Sequence, residues 1–378
     1  MDNNKENVPK IRFPGFTDPW EQRKLSDETN SIDTGKSKFS SKNDGKYEIL
    51  GSTSVIGYDN NYDYEGDFLL TARVGANAGE LYRHSGKVKI SDNTVFIQGE
   101  NLDFTYYMLM NFDIKKLSFG TGQPLVKASE LKELKLTLPV SEEEKIQIGK
   151  FFHNFDNLIT LHQRKLNHLQ DKKRGLLQKM FPKNGEKFPE LRFPGFADPW
   201  EQRKLGDVFE EYSEKNHEEL PPLTIIQGKG TIRRDESDRN LQFDKKSLLN
   251  YKMVEKDDFI VHLRSFEGGL EKSNFTGIIS PAYHTLHGNG ADSRFYYAYF
   301  RSHNFINVKL KPHVYGIRDG RSIDMVGMKT INIPFTSLNE QKKIGDFIES
   351  LDTLITFHQR KLEHLQQQKK GLLQQMFV

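Results

Sequence analysis

The sequence predicts an α+β fold in which two mixed α/β domains and a pair of long coiled-coil helices form a pseudo-twofold internal repeat. The first observation is a short stretch that occurs twice, as IRFPGFTDPWEQRKLSD from Ile11 to Asp27 and as LRFPGFADPWEQRKLGD from Leu191 to Asp207. The second is a longer stretch, containing LITLHQRKL or LITFHQRKL, that ends at Phe181 and again at Phe377. Each pair flanks a segment that does not repeat, which indicates duplicated domains rather than a solenoid.

We name the short stretch the entry repeat and the longer one the helix repeat. A chain of 378 residues is long enough for two or three domains, at roughly 100 to 200 residues per domain. The predicted division is an N-terminal arm with the first entry repeat at 1–27, a first variable domain at 28–138, a central spacer helix at 139–182, a linker with the second entry repeat at 183–207, a second variable domain at 208–333, and a C-terminal spacer helix at 334–378.

The entry repeat contains turn signals, Phe13-Pro14-Gly15 and Asp18-Pro19, followed by the short amphipathic piece WEQRKL. Its aromatic residues Phe13, Phe16 and Trp20 are expected to pack against the helix repeat or the adjoining domain. A structural role is therefore predicted for this element.

Both variable domains alternate short strand-like runs with turns rich in Gly, Asn and Asp. The runs are YEILG, DFLLTARVG and NTVFIQG in the first domain, and PPLTIIQGKG, DDFIVHLRS, TGIISPAY and KTINIPF in the second. Two aromatic-rich segments, 103–117 and 293–304, are predicted helices. Each domain is therefore a mixture of helices and strands. The entry repeats are offset by 180 residues and the helix repeats by 196, so the second variable domain is longer by 16 residues.

The helix repeat shows a heptad pattern, because its apolar positions alternate steps of four and three residues over more than four heptads. A helix of about 33 residues would be on the order of 50 Å long. Two such seams in one chain are expected to pack on each other. The seam positions are 148, 152, 155, 159, 162, 166, 169, 173, 176 and 180, and in the second copy 344, 348, 351, 355, 358, 362, 365, 369, 372 and 376.

The seam contains polar residues at His162 and His358 and at Lys173 and Lys369. A polar residue on a seam can fix the register of the helices. We expect the lysine stems to lie along the seam while the ammonium groups reach water. HQRKL could equally be exposed partner-binding surface. The predicted spacer or partner interface comprises His162, Leu166, Leu169, Lys173, His358, Leu362, Leu365 and Lys369.

Composition excludes several classes of protein. The absence of cysteine excludes disulfides and thiolate metal sites and favours a reducing compartment. No apolar run approaches the roughly 18 residues that span a bilayer, and Met1–Lys10 lacks the apolar core of a signal peptide. These features predict a cytoplasmic protein without a membrane contact. The net charge of +3 is too small to indicate nucleic-acid binding by itself.

No catalytic motif emerges from the sequence. There is no GxxxxGK[ST] phosphate loop and no glycine-rich dinucleotide fingerprint. His153, His162 and His168 are spaced by nine and six residues, so they do not share the face that a helical metal site requires. His284 and His287 lie closer together but have no accompanying carboxylate pattern. The Glu-x-Lys pairs at 130–132 and 133–135 fit a solvated helix face. We therefore predict a non-enzymatic chain with no catalytic, cofactor or metal residues.

Polar loops containing glycine provide the candidate contacts to nucleic acid. Arg and Lys can bond the O6/N7 edge of guanine, Asn and Gln the N6/N7 edge of adenine, and Ser and Thr either bases or phosphates. Glycines allow the backbone to approach a groove. The predicted DNA-binding residues are Arg73, Asn77, Arg83, Lys87, Thr121, Gln123, Lys127, Arg233, Arg234, Arg264, Ser265, Tyr315, Arg318 and Arg321.

The repeats resemble those of specificity subunits of type I restriction–modification systems, over nearly the whole chain after residue 10. WEQRKL at 20–25 and 200–205 enters each variable domain, and LKELKLTLPVSEEEKIQIGKFF or MKTINIPFTSLNEQKKIGDFI leaves it. LNHLQDKKRGLLQKMF and LEHLQQQKKGLLQQMF close the helices. One departure is the first exit, where Glu143-Glu144-Lys145 replaces the Asn339-Glu340-Gln341-Lys342 wording of the second, a mild change that alters no role.

The resemblance implies that the variable domains are two target recognition domains, each reading one half of a bipartite, asymmetric site in double-stranded DNA. It implies that the helices form an antiparallel spacer that sets the unread gap. It further implies two docked modification subunits and additional restriction subunits, with S-adenosylmethionine, ATP and Mg²⁺ on those partners and no cofactor on this chain. A rod of roughly 50 Å exceeds the roughly 34 Å of one B-DNA turn, so two readers at its ends can reach successive major grooves.

Two other functions remain open at the level of sequence. The chain could be a self-contained DNA-cleaving enzyme whose active site lies among the aromatic helices and glycine loops. It could also be a coiled-coil scaffold that binds only protein. Activity without partners would favour the first, and the lack of any DNA preference in the assembled complex would favour the second.

Overall fold

The computed structural model describes most of the chain, namely residues 7–38, 44–118, 124–183, 185–236, 245–316 and 321–378. They form two compact units: unit 1 comprises Met1–Arg164 and Gln359–Val378, and unit 2 comprises Lys165–His358. Both boundaries fall inside the long helices, so each unit holds one half of each helix. The predicted spacer helices at 139–182 and 334–378 each contribute residues to the cores of both units. Among the described helices, none is long and apolar enough to cross a membrane.

Unit 1 is built on a six-stranded sheet of order β2-β7-β5-β6-β3-β4. Strand β3 runs parallel to β6, and the other neighbours are antiparallel. Its strands are β1 (Glu21–Lys24), β2 (Ser31–Thr34), β3 (Tyr47–Leu50), β4 (Val55–Asp59), β5 (Tyr64–Ala72), β6 (Leu81–Ile90), β7 (Thr94–Gln98) and β8 (Lys135–Leu138), and its helices are α1 (Leu102–Phe112), α2 (Ala128–Glu133) and the first part of the long helix α3 (Glu142–Met180).

Unit 2 is built on a four-stranded sheet of order β10-β17-β14-β15. Its strands are β9 (Glu201–Lys204), β10 (Phe209–Tyr212), β11 (Leu223–Ile226), β12 (Gly230–Arg233), β13 (Lys252–Val254), β14 (Phe259–Val261), β15 (Glu271–Lys272), β16 (Gly277–Ile279), β17 (His284–Gly288), β18 (Val314–Tyr315), β19 (Ser322–Ile323) and β20 (Asn332–Phe335). Its helices are α4 (Leu205–Val208), α5 (Ser265–Gly268), α6 (Ser293–Phe300), α7 (Met325–Lys329) and the first part of the long helix α8 (Leu338–Met376).

The two sheets share one plan, because β10, β17, β14 and β15 follow the same order as β2, β7, β5 and β6. The predicted fold class is therefore confirmed, including the strands read from both variable domains. The predicted helices are shorter than expected. Helix α1 ends at Phe112 because Asp113 adopts a left-handed conformation with φ of 60°. Helix α6 ends at Phe300, and a π-helical turn follows at Phe305–Leu310.

Each variable domain is closed by a strand pair where the chain enters and leaves it. The WEQRKL piece, predicted only as amphipathic, is strand β1, which pairs antiparallel with β8 and sets Glu21 opposite Leu138. Strand β9 pairs in the same way with β20, setting Glu201 opposite Phe335. The entry repeat and the exit strand therefore form one two-stranded ribbon in each unit.

The entry repeat also anchors the start of each long helix through a buried carboxylate. Arg12 donates two hydrogen bonds to Glu144, at 2.7 and 2.8 Å, and the Trp20 indole N–H donates to the same carboxylate at 3.4 Å. Glu144 is only 1% exposed, so its charge is neutralised by a bidentate partner rather than by water. The same arrangement recurs in unit 2 with Arg192, Trp200 and Glu340.

The other side of the entry repeat contacts the end of a long helix. The Ile11 N–H donates to the Gln375 carbonyl at 2.9 Å, and the Leu191 N–H donates to the Lys179 carbonyl at 2.8 Å. Trp20 packs edge-on against Phe377 with ring centroids 6.2 Å apart. The expected packing of the entry-repeat aromatics on the helix repeat is confirmed for Trp20 and, through Phe151, for Phe13.

The long helices α3 and α8 are 39 residues each, and both begin six residues before the predicted seam. Within unit 1, Phe152 packs on Phe377, and Asp156, four residues later, pairs with Lys369, eight residues earlier than Phe377. The parts of α3 and α8 in this unit therefore run in opposite directions. The antiparallel pairing is confirmed. The heptad count missed the first turns because they are polar, although Ser141 and Glu144 match a capping box in spacing.

Candidate nucleic-acid interface

The C-terminal end of strand β5 in unit 1 presents two adjoining loops. Arg73 follows β5, and its carbonyl accepts a hydrogen bond from the Val126 N–H at 2.8 Å. The Gly75 N–H donates to the Pro124 carbonyl at 3.2 Å, so the segment before α2 lies against the loop after β5. These bonds bring the predicted residues Arg73, Asn77 and Lys127 onto one side of the domain. Thr121 and Gln123, which belong to the same segment, lie outside the described residues.

The equivalent end of strand β14 in unit 2 is also formed by two loops. Arg264 is exposed and follows β14 after His262 and Leu263. The Arg321 guanidinium lies 4.2 Å from the ring of Phe266 and pairs with Glu267 at 3.1 Å. Tyr315 on β18 is exposed and pairs in register with Ser322 on β19. The structure therefore brings Arg264, Tyr315 and Arg321 into two contacting loops, while Arg318 lies outside the described residues.

Arg73 and Arg264 occupy matching places in the two domains. Each lies six residues after the aspartate of an Asp-Phe pair, at Asp67 and Asp258, on the strand that occupies the same place in the shared strand order. An arginine side chain can donate two parallel hydrogen bonds to a guanine edge or to a phosphate. The surrounding loop residues differ completely, so the two places share a frame but present different chemistry.

Four predicted residues lie away from these two loop pairs. Lys87 contacts Glu65 at the start of β5, roughly 26 Å along the strand from Arg73. Arg233 and Arg234 lie at the end of hairpin β11–β12, near the rings of Phe275 and Tyr251. Arg83 is drawn inward, because its guanidinium stacks 3.9 Å from the ring of Tyr106, and it also contacts Asp103 and the long helix at His153.

Ser265 is corrected by its burial. Its side chain is fully buried, and its hydroxyl accepts a hydrogen bond from the His262 N–H at 2.9 Å. The hydroxyl therefore holds the start of α5 rather than facing a nucleic acid. No local pattern indicates this burial, because a serine in a glycine-containing loop is more often exposed.

His262 is the strongly perturbed titratable group of this surface. Burial lowers the pKa of its imidazole to about 4, and the neighbouring Arg264 acts in the same direction. The Arg264 N–H donates to its Nδ1 at 3.3 Å. The imidazole is therefore neutral at physiological pH and acts here as a hydrogen-bond acceptor.

A buried glutamate, which sequence analysis missed, organises the hairpin turn of unit 2. Glu271 accepts hydrogen bonds from the Gln227 side chain, the Gly228 and Gly230 N–H groups, and the Tyr297 hydroxyl, at 2.7 to 3.0 Å. This carboxylate therefore ties the turn to strand β15, and Arg301 and Asn274 donate further hydrogen bonds to the turn's carbonyl groups. Its partners are 26 to 44 residues away, so no local motif announces it.

The predicted seam residues of the long helices lie where the heptad pattern placed them. Leu166, Leu169, Leu362 and Leu365 are buried, and His162 and His358 are half-buried. The two seam lysines, whose ammonium groups are expected to reach water, also have carboxylate partners in the structure. Lys173 pairs with Asp352 in unit 2 and Lys369 with Asp156 in unit 1, each at 2.5 Å.

One group of metal-ligating side chains is present among the described residues, and it includes His287, for which the sequence shows no accompanying carboxylate pattern. Ligand atoms of Glu255, Asp258 and His287 lie within 4.8 Å of one another. The Asp258 carboxylate, however, already accepts hydrogen bonds from the Tyr212 hydroxyl, the Glu255 N–H and His287. These hydrogen bonds hold the three side chains together.

Known proteins resemble this chain over nearly all of its length. The family model for the type I restriction modification DNA specificity domain matches residues 17–171 and 197–367. The putative type I restriction enzyme MjaX specificity subunit of Methanocaldococcus jannaschii is 24% identical over 98% of this chain and 95% of its own length. The type I restriction enzyme MjaVIII specificity subunit of the same organism is 26% identical over 79% and 75%.

A solved structure shows the same fold. The crystal structure of the type I restriction–modification S subunit from M. genitalium matches with a TM-score of 0.61 at 17% identity, over 98% of this chain and 99% of that chain. At this identity the likeness concerns the fold alone. It agrees with the doubled domain plan described above.

Proposed function

Since the chain belongs to the family of type I restriction–modification DNA specificity subunits, we propose that it is the non-catalytic subunit that reads a bipartite, asymmetric site in double-stranded DNA. One half of the site is read by each variable domain. The observation that supports this most directly is the pair of strand-end surfaces at Arg73 and Arg264. They share a structural place and differ in their side chains, as two readers of unlike sequences require.

Each reader supplies one arginine at the strand end and further polar groups from the adjoining loop. Asn77 and Lys127 accompany Arg73, while Tyr315 and Arg321 accompany Arg264. A good bidentate contact to a base discriminates by about 1–3 kcal/mol, so each arginine is expected to change binding by about 5-fold to 150-fold. Contacts from the lysine and tyrosine side chains to phosphate would position the domain without reading sequence.

The catalytic functions belong to partner chains in this proposal. Two modification subunits that use S-adenosylmethionine and restriction subunits that use ATP and Mg²⁺ would dock on the repeated frame. Exposed apolar side chains support such docking, because each long helix leaves a pair on one face. The pairs are Leu158 and Leu161 in unit 1 and, 196 positions later, Leu354 and Phe357 in unit 2. A duplicated surface fits two copies of one partner.

Replacement of one reader tests the assignment. The segment 28–138 is replaced by the corresponding segment of another specificity subunit, and the complex with its modification partner is expressed in cells. Sequencing of the methylated motif is expected to show a change in one half of the site only. A change in both halves, or in neither, contradicts the assignment of one reader to each half.

Single substitutions test the proposed surface more sharply. Arg73→Ala is expected to weaken binding of the assembled complex to its DNA site and to relax the base preference in the half-site that the first variable domain reads. Arg264→Ala is expected to do the same in the half-site that the second variable domain reads. Lys87→Ala is the matched control, because Lys87 is an exposed cation on β6, beside the end of β5 that lies away from Arg73. Equal losses for all three variants would contradict the strand-end surface. The purified chain alone, with Mg²⁺ and duplex DNA, is expected to show neither cleavage nor methylation.

A further inference from the structure

Each variable domain touches its long helix at a glycine, and this contact is the same in both units. A Cβ atom on Gly149 would lie 2.8 Å from the Phe104 nitrogen and 3.1 Å from the Asp103 Cβ. A Cβ atom on Gly345 would lie 2.7 Å from the Asp292 carboxylate and 3.2 Å from the Arg294 Cβ. The start of α1 and the start of α6 therefore press on equivalent turns of α3 and α8.

In unit 1, an aspartate at the start of α1 is the charged residue of the variable domain that lies nearest this contact. Asp103, the second residue of α1, lies 3.4 Å from the ring of His153 on α3 and 3.2 Å from Arg83. Lys150 is exposed one turn before His153 on the same helix. The variable domain therefore presents Asp103 to a helix turn that carries a lysine and a histidine, and its Arg83 contacts both Asp103 and His153.

The charge at the equivalent position is reversed in unit 2. Arg294, the second residue of α6, donates to Asp346 at 2.5 Å and to Glu349 at 3.2 Å. Asp346 and Glu349 occupy the positions of Lys150 and His153, 196 residues later. Here the variable domain presents Arg294, which is also paired with its neighbour Asp292, and the helix turn carries two carboxylates.

A second difference lies one turn earlier on each helix and involves buried groups. Lys145 is 2% exposed and pairs with Glu28 and Glu142. Gln341, at the equivalent position of α8, is fully buried and accepts a hydrogen bond from the Asp292 N–H at 2.9 Å. Val208 occupies the place of Glu28 in the second domain. The difference between Lys145 and Gln341, which the sequence presents as mild, therefore decides what each helix can accept.

We propose that these helix positions form a positional key that admits each variable domain at one place only. Lys145, Lys150 and His153 fit the first domain, and Gln341, Asp346 and Glu349 fit the second. Exchange of the domains would bury Lys145 opposite Val208 and set Arg294 against Lys150 and His153. It would also set Asp103 against Asp346 and Glu349, with Arg83 as a partial compensation. The consequence rests on the proposed function: the order of the two half-sites is fixed by the helices.

The test exchanges residues 28–138 and 208–333 in the full chain and measures thermal unfolding without DNA. We expect the unfolding midpoint to fall by at least about 5 °C, because a buried cation loses a partner and like charges meet. A second exchanged chain also carries Lys145→Gln, Lys150→Asp, His153→Glu, Gln341→Lys, Asp346→Lys and Glu349→His. It is expected to recover most of the loss. An unchanged midpoint in the first chain, or no recovery in the second, overturns the key.

A smaller pair of variants keeps the test decisive if the exchanged chain does not fold. Asp292→Asn with Arg294→Asp gives the second domain the polarity of the first and is expected to lower the midpoint. Addition of Asp346→Lys and Glu349→His is expected to restore it, and a failure to do so overturns the key. Unfolding is measured without DNA, so the two hypotheses can fail separately. The unfolding midpoints can contradict the positional key while the proposed recognition of DNA still holds, and the methylated motif can contradict the recognition of DNA while the key still holds.

Discussion

Units 1 and 2 share the contacts made by the repeats but differ in how their variable domains are tied to the helix pair. In unit 1, the Tyr107 hydroxyl donates to Asp156 at 2.6 Å, and the Lys369 ammonium that pairs with Asp156 lies 5.0 Å from the Tyr107 ring. In unit 2, Ala298 occupies the place of Tyr107 on α6, so the Lys173–Asp352 pair has no such link. The two units therefore share the repeated frame, and each variable domain has its own attachment to the helix pair.

Among the substitutions considered for both units, we expect the largest loss of stability from those at the buried tryptophan of each entry repeat. Trp20→Ala and Trp200→Ala are each expected to lower the free energy of unfolding by about 3–5 kcal/mol, because each removes a buried indole from a core. Chemical denaturation followed by circular dichroism measures the loss. Similar losses would support equivalent anchors. A loss below about 1 kcal/mol in either unit would show that the anchor is not equivalent there.

The glycines under the variable domains give a smaller effect with a built-in control. Gly149→Ala and Gly345→Ala are expected to destabilise by about 1–3 kcal/mol, because the added methyl meets the start of α1 or α6. Gly175→Ala and Gly371→Ala lie in the same two helices with no atom within 4 Å of the added Cβ. These controls are expected to stabilise by up to about 1 kcal/mol through helix propensity. The same sign in all four variants would contradict the close approach.

These two sets of residues also mark how far the sequence could be interpreted. The heptad seam and the doubled turn-and-strand pattern predict the helices, the two domains and most of their strands, because periodicity is a local property. The sequence predicts that Trp20 packs, but it does not identify Glu144 as its hydrogen-bond partner. The two residues are 124 positions apart, so no local pattern links them. The sequence predicts Ser265 and Arg83 as exposed DNA-binding residues. Their contacts depend on tertiary neighbours, which no local pattern reveals. The reversed charges at 150 and 346 acquire meaning only when Asp103 and Arg294 are seen opposite them.

Substitution of the two seam lysines tests the link between Tyr107, Asp156 and Lys369 that attaches the first variable domain to the helix pair in unit 1. Lys369→Met is expected to destabilise by about 1–2 kcal/mol, because it leaves a half-buried Asp156 with only the Tyr107 hydroxyl. Lys173→Met is expected to cost less than about 1 kcal/mol, because Asp352 is more exposed. Denaturant midpoints of the two variants measure the difference. Tyr107→Phe is then combined with each lysine substitution in a double-mutant cycle. We expect a non-additive loss of stability with Lys369→Met and an additive loss with Lys173→Met. Equal coupling energies in the two cycles would contradict the difference between the units.

The smallest expected effect is a pH dependence confined to unit 2, where His262 stands in the place of Thr71. The native imidazole has a pKa of about 4, whereas the unfolded chain binds a proton near the ordinary value of 6.5. Between these values the unfolded state holds the extra proton, so the free energy of unfolding falls as pH drops from about 6.5 towards 4. The slope for one such group is at most about 1.4 kcal/mol per pH unit, and the partial exposure of His262 reduces it. His262→Thr, which copies unit 1, should remove this part of the dependence when denaturation is compared at pH 7 and pH 5. An identical pH dependence in the variant would show that the imidazole is protonated as readily in the native state as in the unfolded chain.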